Sequence, residues 1–470
     1  MTRQDLRSRA QLALALASCA TFLCFLDSTV TNLAVTPVAE DFGVDLPTAA
    51  WLATAYVIPF AAFLAPAGAL ADAVGRTRLF CVGTVLFTLA SLGVAVAPHF
   101  AVLLAGRAVQ GLGAALLLPA SLALVLAEVP ADRRRPAIAL WSAAGALAAA
   151  VGPAVGGVVV DRLDWRAVFF LNLPIGAWVL WAARGFLAHD ARDRRVPDLA
   201  GSVLLALSVG ALVYGLTEAP GRGWTSPVVL AAFTGAVIAG CGAGVRSLRH
   251  ERPALRTDLL RNTSFATATG ISTLYGVALF ATMLLGVLFL VDVWDYSALR
   301  AGLAMTPAAV VTAATGVGIS RLRVPLPPRV MICTGALVEA AATTTLALAI
   351  TGTAHFVSLW LPVGAVMGVG IGLLTVGIQT GGTLAAPPQH FAAATGVLMA
   401  SRQLGGALGL SAVAFVLADV GGVTRPYTVV YLVAAGAALL AAGGGLLLRS
   451  PVPAPAVTSG VSELSARVGR

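Results

Sequence analysis

"FLCFLDSTVTNLAVTP", residues 22–37, reads as the middle of a membrane span except at one position, Asp27. A carboxylate at the centre of a membrane helix costs about 3 kcal/mol on insertion scales, and such groups face a partner or a polar cavity. The rest of the chain decides whether this stretch is a span at all. Its 470 residues are 58% hydrophobic and only 11% charged, with a mean hydropathy of +0.90. A soluble domain carries nearer a quarter charged residues. The unit of organisation is therefore the apolar helix of about 20 residues. In lipid every backbone polar group must be satisfied within its own element, so long apolar runs mean helices.

Working outward from residues 22–37, the apolar runs predict fourteen spans. They lie near 11–37, 49–71, 79–97, 100–127, 136–160, 165–187, 199–218, 226–247, 262–291, 299–320, 329–351, 355–384, 391–419 and 427–448. The net charge is +9 and every basic residue is Arg. These arginines cluster between spans, which speaks for the positive-inside rule and against nucleic-acid binding. With the N-terminus inside, the outer loops hold only Arg162, Arg166, Arg222, Arg300 and Arg425, and most of the others fall in inner segments. Both termini are therefore expected on the cytoplasmic side of a bacterial inner membrane. Two longer charged inner segments, 184–198 and 245–262, bracket the seventh and eighth spans. The chain divides into a six-helix bundle (1–190), a two-helix insert (191–250), a second six-helix bundle (251–449) and a polar tail (450–470) expected to be disordered. The five Cys and five His show no ligand spacing, so no metal is expected.

Three stretches carry more than hydropathy. In "GALADAVGRTR" (68–78), Gly68 and Gly75 permit a tight inner loop. Asp72 can accept from backbone N–H groups at a helix start or from a neighbouring Arg, and Arg76 and Arg78 anchor the loop at the inner face. In "RAVQGLGAALLLP" (107–119), Arg107 lies inside an apolar helix with Gln110, Gly111 and Gly113 close behind. In "VGPAVGGVV" (151–159), Gly152, Pro153, Gly156 and Gly157 form a small-residue face with a kink, suited to close helix contact.

Together these stretches resemble the ordered motifs of the major facilitator superfamily. GxLADxxGRxR is similar to its inner-loop signature, with Ala73 and Thr77 where the family usually has basic residues. RxxQGxGAA resembles its fourth-span motif and GPxxGG its antiporter motif, with Ala148 in place of an earlier Gly. "LDSTVTNLA" (26–34), "DWRAVFFLNLPIG" (164–176), "PDLAG" (197–201), "SALRAGLAMTP" (297–307) and "SRQLGGALG" (401–409) resemble signatures of the fourteen-span drug/proton antiporter branch. The second half has no good copy of the inner-loop motif. The resemblance implies an all-α membrane protein with the major facilitator fold: two six-helix bundles plus two inserted helices. It implies an inner-loop latch at 68–78, an Arg107 that faces the central cavity, and proton-coupled export.

An antiporter needs a carboxylate that binds protons within reach of a cavity. Asp27 is the first candidate, set against a structural Asp bonded to Thr29, Asn32 or another helix. Arg107 is its expected electrostatic partner. Glu339, in the eleventh span, belongs to no matched motif and is either a second acidic site or a locally paired one. Asn32, Tyr56, Phe60, Phe280 and Trp360 are candidates to line a cavity for lipophilic cations. Glu128 reads as a solvated inner helix end. The expected partners are a hydrophobic or cationic small molecule, protons and the bilayer. No enzyme activity, nucleotide or other cofactor is expected beyond the proton gradient, and a monomer suffices. The alternatives are a dedicated exporter of an endogenous metabolite or antibiotic, a nutrient symporter, which the GPxxGG motif opposes, and a receptor or enzyme without transport.

Overall fold

The apolar runs form helices and the polar punctuation between them caps those helices. In the computed structural model, residues 3–187, 198–251 and 253–448 are described. The first half contains α1 (Arg3–Phe42), a short α2 (Leu46–Ala49), α3 (Trp51–Val74), α4 (Arg76–Ala95), α5 (Phe100–Glu128), α6 (Arg134–Arg162), α7 (Trp165–Phe170) and α8 (Asn172–Leu187). Then come α9 (Leu199–Arg222), α10 (Pro227–Arg249) and the short α11 (Thr257–Arg261). The second half contains α12 (Thr263–Asp292), α13 (Ala298–Arg321), α14 (Pro328–Ala349), α15 (Leu361–Thr383), α16 (Phe391–Asp419) and α17 (Arg425–Leu447). Among the described residues, 14 helical segments are long and apolar enough to cross a membrane, and there is no strand. Asp45, Asp164, Asp198, Asn262 and Ser297 each accept a backbone N–H at a helix start. These side chains satisfy donors that the first helical turn leaves free.

Three details depart from the hydropathy reading. The first helix extends beyond 11–37 at both ends, because helical hydrogen bonding continues into the polar flanks, and Pro37 does not end it. The sixth span breaks at Leu171 into α7 and α8, ahead of Pro174. The twelfth opens with a wide π turn over Phe356–Trp360 before α15. The tail 450–470 and the segment 188–197, which includes Pro197 of the "PDLAG" motif, lie outside the described residues.

The fold is that of two six-helix bundles with two inserted helices. In the first, α1 packs on α5 and α6, and α5 packs on α3 and α4. In the second, α12 packs on α16 and α17, while α15 bridges α13 and α14. The bundles meet along two seams, α3 against α16 and α6 against α13. The inserted pair α9–α10 leans on α3 and α16 and so covers the outside of one seam. There the Ser411 hydroxyl donates to the Leu216 carbonyl at 2.6 Å.

Small residues make both seams possible, as expected where van der Waals packing drives helix association in lipid. A side chain at Gly68 would run into the Ala392 carbonyl, and one at Gly396 into the Leu64 carbonyl. Across the other seam, Gly302 sits opposite Pro153, Gly157 opposite Leu299, and Gly316 opposite Ala139 and Ala143. Gly68→Val should therefore force the first seam apart. With the 5 native cysteines replaced, a cysteine introduced at the fully buried Ala392 should react slowly with a water-soluble maleimide. Adding Gly68→Val should make that reaction fast, and an unchanged rate would contradict this account of the seam.

Candidate functional site

Asp27 does not face an open cavity. It sits inside the first bundle, 1% exposed, in a closed polar cluster built by five helices. Arg107 from α5 approaches with one terminal nitrogen 2.6 Å from Asp27 Oδ2 and 2.6 Å from Gln110 Oε1. Its Nε donates to the Leu52 carbonyl at 3.0 Å. The other carboxylate oxygen accepts from Gln110 Nε2 and from Asn172 Nδ2, each at 2.8 Å. Both amides also donate to the Ser91 hydroxyl of α4, at 2.8 and 3.2 Å. The guanidinium lies over the Tyr56 ring, 4.5 Å from its centre, with Phe169 at 5.6 Å. The cost of the buried acid is thus met by an ion pair, two amides and an aromatic floor.

The fourth-span motif builds this geometry. Gln110 lies one turn after Arg107, so both reach the same face of α5. Gly111 presses against the Tyr56 carbonyl, which sets α3 and its ring beneath the guanidinium. Gly113 faces Phe87 of α4, with Gly83 opposite, and brings the Ser91 helix close. The antiporter motif acts on two sides at once. Gly152 packs on Thr29 and Gly156 on Val30 and Leu33 of α1, while Pro153 and Gly157 face α13. It therefore couples the helix that carries Asp27 to a seam between bundles.

A second polar assembly closes the seam at the membrane face nearer the chain termini. Gly75, at φ 109°, makes the turn between α3 and α4 that side chains rarely allow. Asp72 accepts from the backbone N–H of Ala393 at 2.9 Å and of Ala392 at 3.4 Å, the first residues of α16. A carboxylate there also complements the positive end of that helix. Arg76 bonds the same carboxylate at 3.3 Å and reaches the carbonyls of Pro388 and Ala123. Both kinds of donor that the sequence allows for Asp72 are present, and the helix start belongs to the opposite bundle. Arg78 opens α4 beside this latch.

Of the five candidate cavity residues, Tyr56 and Phe60 meet, and Phe280, Trp360 and Asn32 lie in other surroundings. Tyr56 and Phe60 stack on each other at 5.7 Å, in the packing beneath Arg107. Phe280 fills the space against Gly406 of α16. Trp360 stacks on Phe289 at 5.9 Å and lines a small cavity of about 10 Å³ with Gly286, Met305 and Tyr431. Asn32 is exposed. Hydropathy places aromatic residues on helices but not on faces. Glu128 is not merely solvated: it pairs with Arg9 at 3.3 Å. Glu339 stands apart in α14, fully buried, and neither carboxylate oxygen has a hydrogen-bond partner. Ser91 and Asn172 complete the Asp27 cluster without having been singled out. Asn172 is the Asn of "DWRAVFFLNLPIG" and could have been, whereas Ser91 is a lone hydroxyl in an apolar run.

Two helical bundles meeting along paired seams, with a charge cluster in one and a latch between them, define a multi-pass membrane transporter of facilitator type. The chain belongs to the Major Facilitator Superfamily, whose family description matches residues 17–410. It is 33% identical over 402 residues to multidrug resistance protein Stp of Mycobacterium tuberculosis, covering 84% of this chain and 74% of that protein. It is 33% identical to the methylenomycin A resistance protein of Streptomyces coelicolor, covering 83% and 82%. It is 29% identical to the tetracenomycin C resistance and export protein of Streptomyces glaucescens, covering 88% and 77%. Among solved structures, a double Trp mutant of XylE superposes with a TM-score of 0.66 at 15% identity, covering 95% of this chain and 97% of that one. Human MFSD10 superposes at 0.63, also at 15% identity, covering 94% and 99%.

The cluster has a direct energetic signature. Arg107→Ala strands the Asp27 carboxylate and should destabilise the protein by about 3–5 kcal/mol, as broken buried pairs do. Arg107→Lys should recover little of this, because a point ammonium cannot span Leu52, Asp27 and Gln110. The double variant Asp27→Asn, Arg107→Gln should be more stable than Arg107→Ala alone. Thermal unfolding in detergent tests this; simple additivity of the single changes would remove the pair from the account.

Proposed function

We propose that the protein is a proton-coupled antiporter that exports hydrophobic or amphipathic compounds by alternating access. One observation carries the reading: a titratable carboxylate, Asp27, is held midway through the membrane against a guanidinium and two amides. A carboxylate–guanidinium pair in such a place is a switch. Protonation of Asp27 removes one charge and frees Arg107, which changes the packing of α1 on α5. Because α1 also touches the Gly152 and Gly156 face of α6, that change reaches the α6–α13 seam. The latch at Asp72 and Arg76 opens or closes the other seam. In the conformation described here it is closed on the side of the termini, which this reading takes as cytoplasmic on the positive-inside rule.

The cycle runs as follows. A proton from outside neutralises Asp27, the latch releases, and the bundles rock open inward. The proton leaves to the cytoplasm and the substrate enters. The Asp27–Arg107 pair re-forms, the latch closes and the substrate exits outward. The proton gradient drives this without a bound cofactor. The unit in this reading is a monomer in the bacterial inner membrane. The relatives' names support efflux of antibiotics or drugs. Two of those names each specify a single antibiotic, which favours a second reading, a dedicated exporter of one such compound.

The test is substrate-dependent proton movement in proteoliposomes with an internal pH-sensitive dye. The panel holds ethidium, other lipophilic cations and uncharged antibiotics. Wild-type protein should move protons against at least one compound, whereas Asp27→Asn should insert normally and reduce that flux to the level of empty vesicles. Retained coupled efflux in Asp27→Asn would remove the assignment of Asp27. Response to one antibiotic alone would select the dedicated exporter.

A further inference from the structure

Two acids buried within the helices, Asp27 and Glu339, are in opposite circumstances within a single conformation. Asp27 accepts from three side-chain donors and faces a full positive charge. Glu339, near the middle of α14, is 0% exposed and both of its carboxylate oxygens lack a partner. Its backbone is pressed against α15, where a side chain at Gly370 would strike the Glu339 main chain. The same approach repeats one turn earlier, with Gly335 against Gly370 and Leu374. An ionised carboxylate without hydrogen bonds or a counter-charge is not sustained in such a setting; the group takes up a proton instead.

Among the described residues, no counter-charge is paired with Glu339. From α12, Tyr275 is in electrostatic range of Glu339, and its hydroxyl is engaged 2.6 Å from Thr375 of α15. Arg402 of α16 interacts with Tyr275 and forms no ion pair among the described residues. On α17, Tyr431 and Tyr427 interact with each other, and Tyr427 bonds Asp292, away from Glu339. α15 presents Gly370 and Thr375 towards this region and no charge. Tyr275 is thus in electrostatic range of both Glu339 and Arg402.

We propose that Glu339 is a second proton-carrying group, located in the C-terminal bundle, neutral while the latch is closed and ionised when α14 and α15 part. It releases its proton as H⁺ to water, leaving a carboxylate that the Tyr275 hydroxyl and Arg402 stabilise, and it takes a proton back on closing. Asp27 and Glu339 then exchange charge states through the cycle, one in each bundle. As a coupling element this rests on the proton antiport proposed above, but the protonation of Glu339 is testable without it.

The experiment is infrared spectroscopy of the full chain reconstituted in lipid vesicles at neutral pH, with exchange into D₂O. Wild type and Asp27→Asn should both show the C=O band of a protonated carboxyl. Glu339→Gln should lose it, and Glu339→Asp should keep it at a shifted position, which guards against a folding defect in either variant. An identical band in wild type and Glu339→Gln overturns the proposal. In the vesicle assay, Glu339→Gln should retain ethidium exchange at equal pH on both sides and lose gradient-driven accumulation; unchanged accumulation also overturns the proposal. If the wild type moves no protons with any compound, the antiport reading fails, and the infrared band still decides whether Glu339 holds a proton.

Discussion

A charge in the middle of a membrane must be answered by the protein, because lipid cannot answer it. The pairing of Asp27 with Arg107 is that answer, and most of the N-terminal bundle is arranged to supply it. Arg107 needs the Leu52 carbonyl and the Tyr56 ring from α3. Asp27 needs Gln110 from α5 and Asn172 from α8, and both amides need Ser91 from α4. Five helices are thus fixed by one cluster, and the glycines of α5 exist to let them approach. In a low-dielectric interior such a network is strong when complete and costly when any member is missing. The same property that makes it a structural anchor makes it a switch.

The two bundles handle their acids differently, and the two seams differ as well. The α3–α16 seam combines close glycine contacts with a polar lock, Asp72 on the first turn of α16. The contacts found along α6–α13 are between small and apolar residues: Gly302 with Pro153, Gly157 with Leu299, Gly316 with Ala139 and Ala143. A polar lock has discrete made and broken states, whereas a smooth small-residue surface permits sliding at little cost. One seam therefore suits a latch and the other a bearing. The second half lacks its own copy of the inner-loop motif, so this asymmetry is written into the chain.

The helices were legible because the bilayer imposes one rule on every span, and hydropathy reports it. The Arg distribution added an expected orientation. The acid and its arginine were legible too, since each interrupts an apolar run. What the sequence could not convey was direction. Asp72 finds its partners at Ala392 and Ala393, with a sequence separation of 320 and 321, and nothing local announces them. Phe280 and Trp360 lie on helices as expected but point into different packing. Glu339 was ambiguous between a paired and an unpaired acid, and only the placement of Gly370, Tyr275 and Thr375 around it distinguishes the two.

The lock between Asp72 and α16 has a bearing on how the molecule is made. Its acid belongs to the second span and its donors to the thirteenth, so the acid is translated and inserted long before any partner exists. Until Ala392 and Ala393 emerge, Asp72 must be held by Arg76 alone or by water at the membrane face. The N-terminal bundle can assemble around Asp27 and Arg107 on its own, since that cluster closes within residues 27–172. The α3–α16 seam between the two bundles awaits almost the last helix. A ribosome that stalls before α16 would leave a folded first bundle with an unsatisfied charge and a bare glycine groove along α3, a form that quality-control proteases could tell from the finished protein.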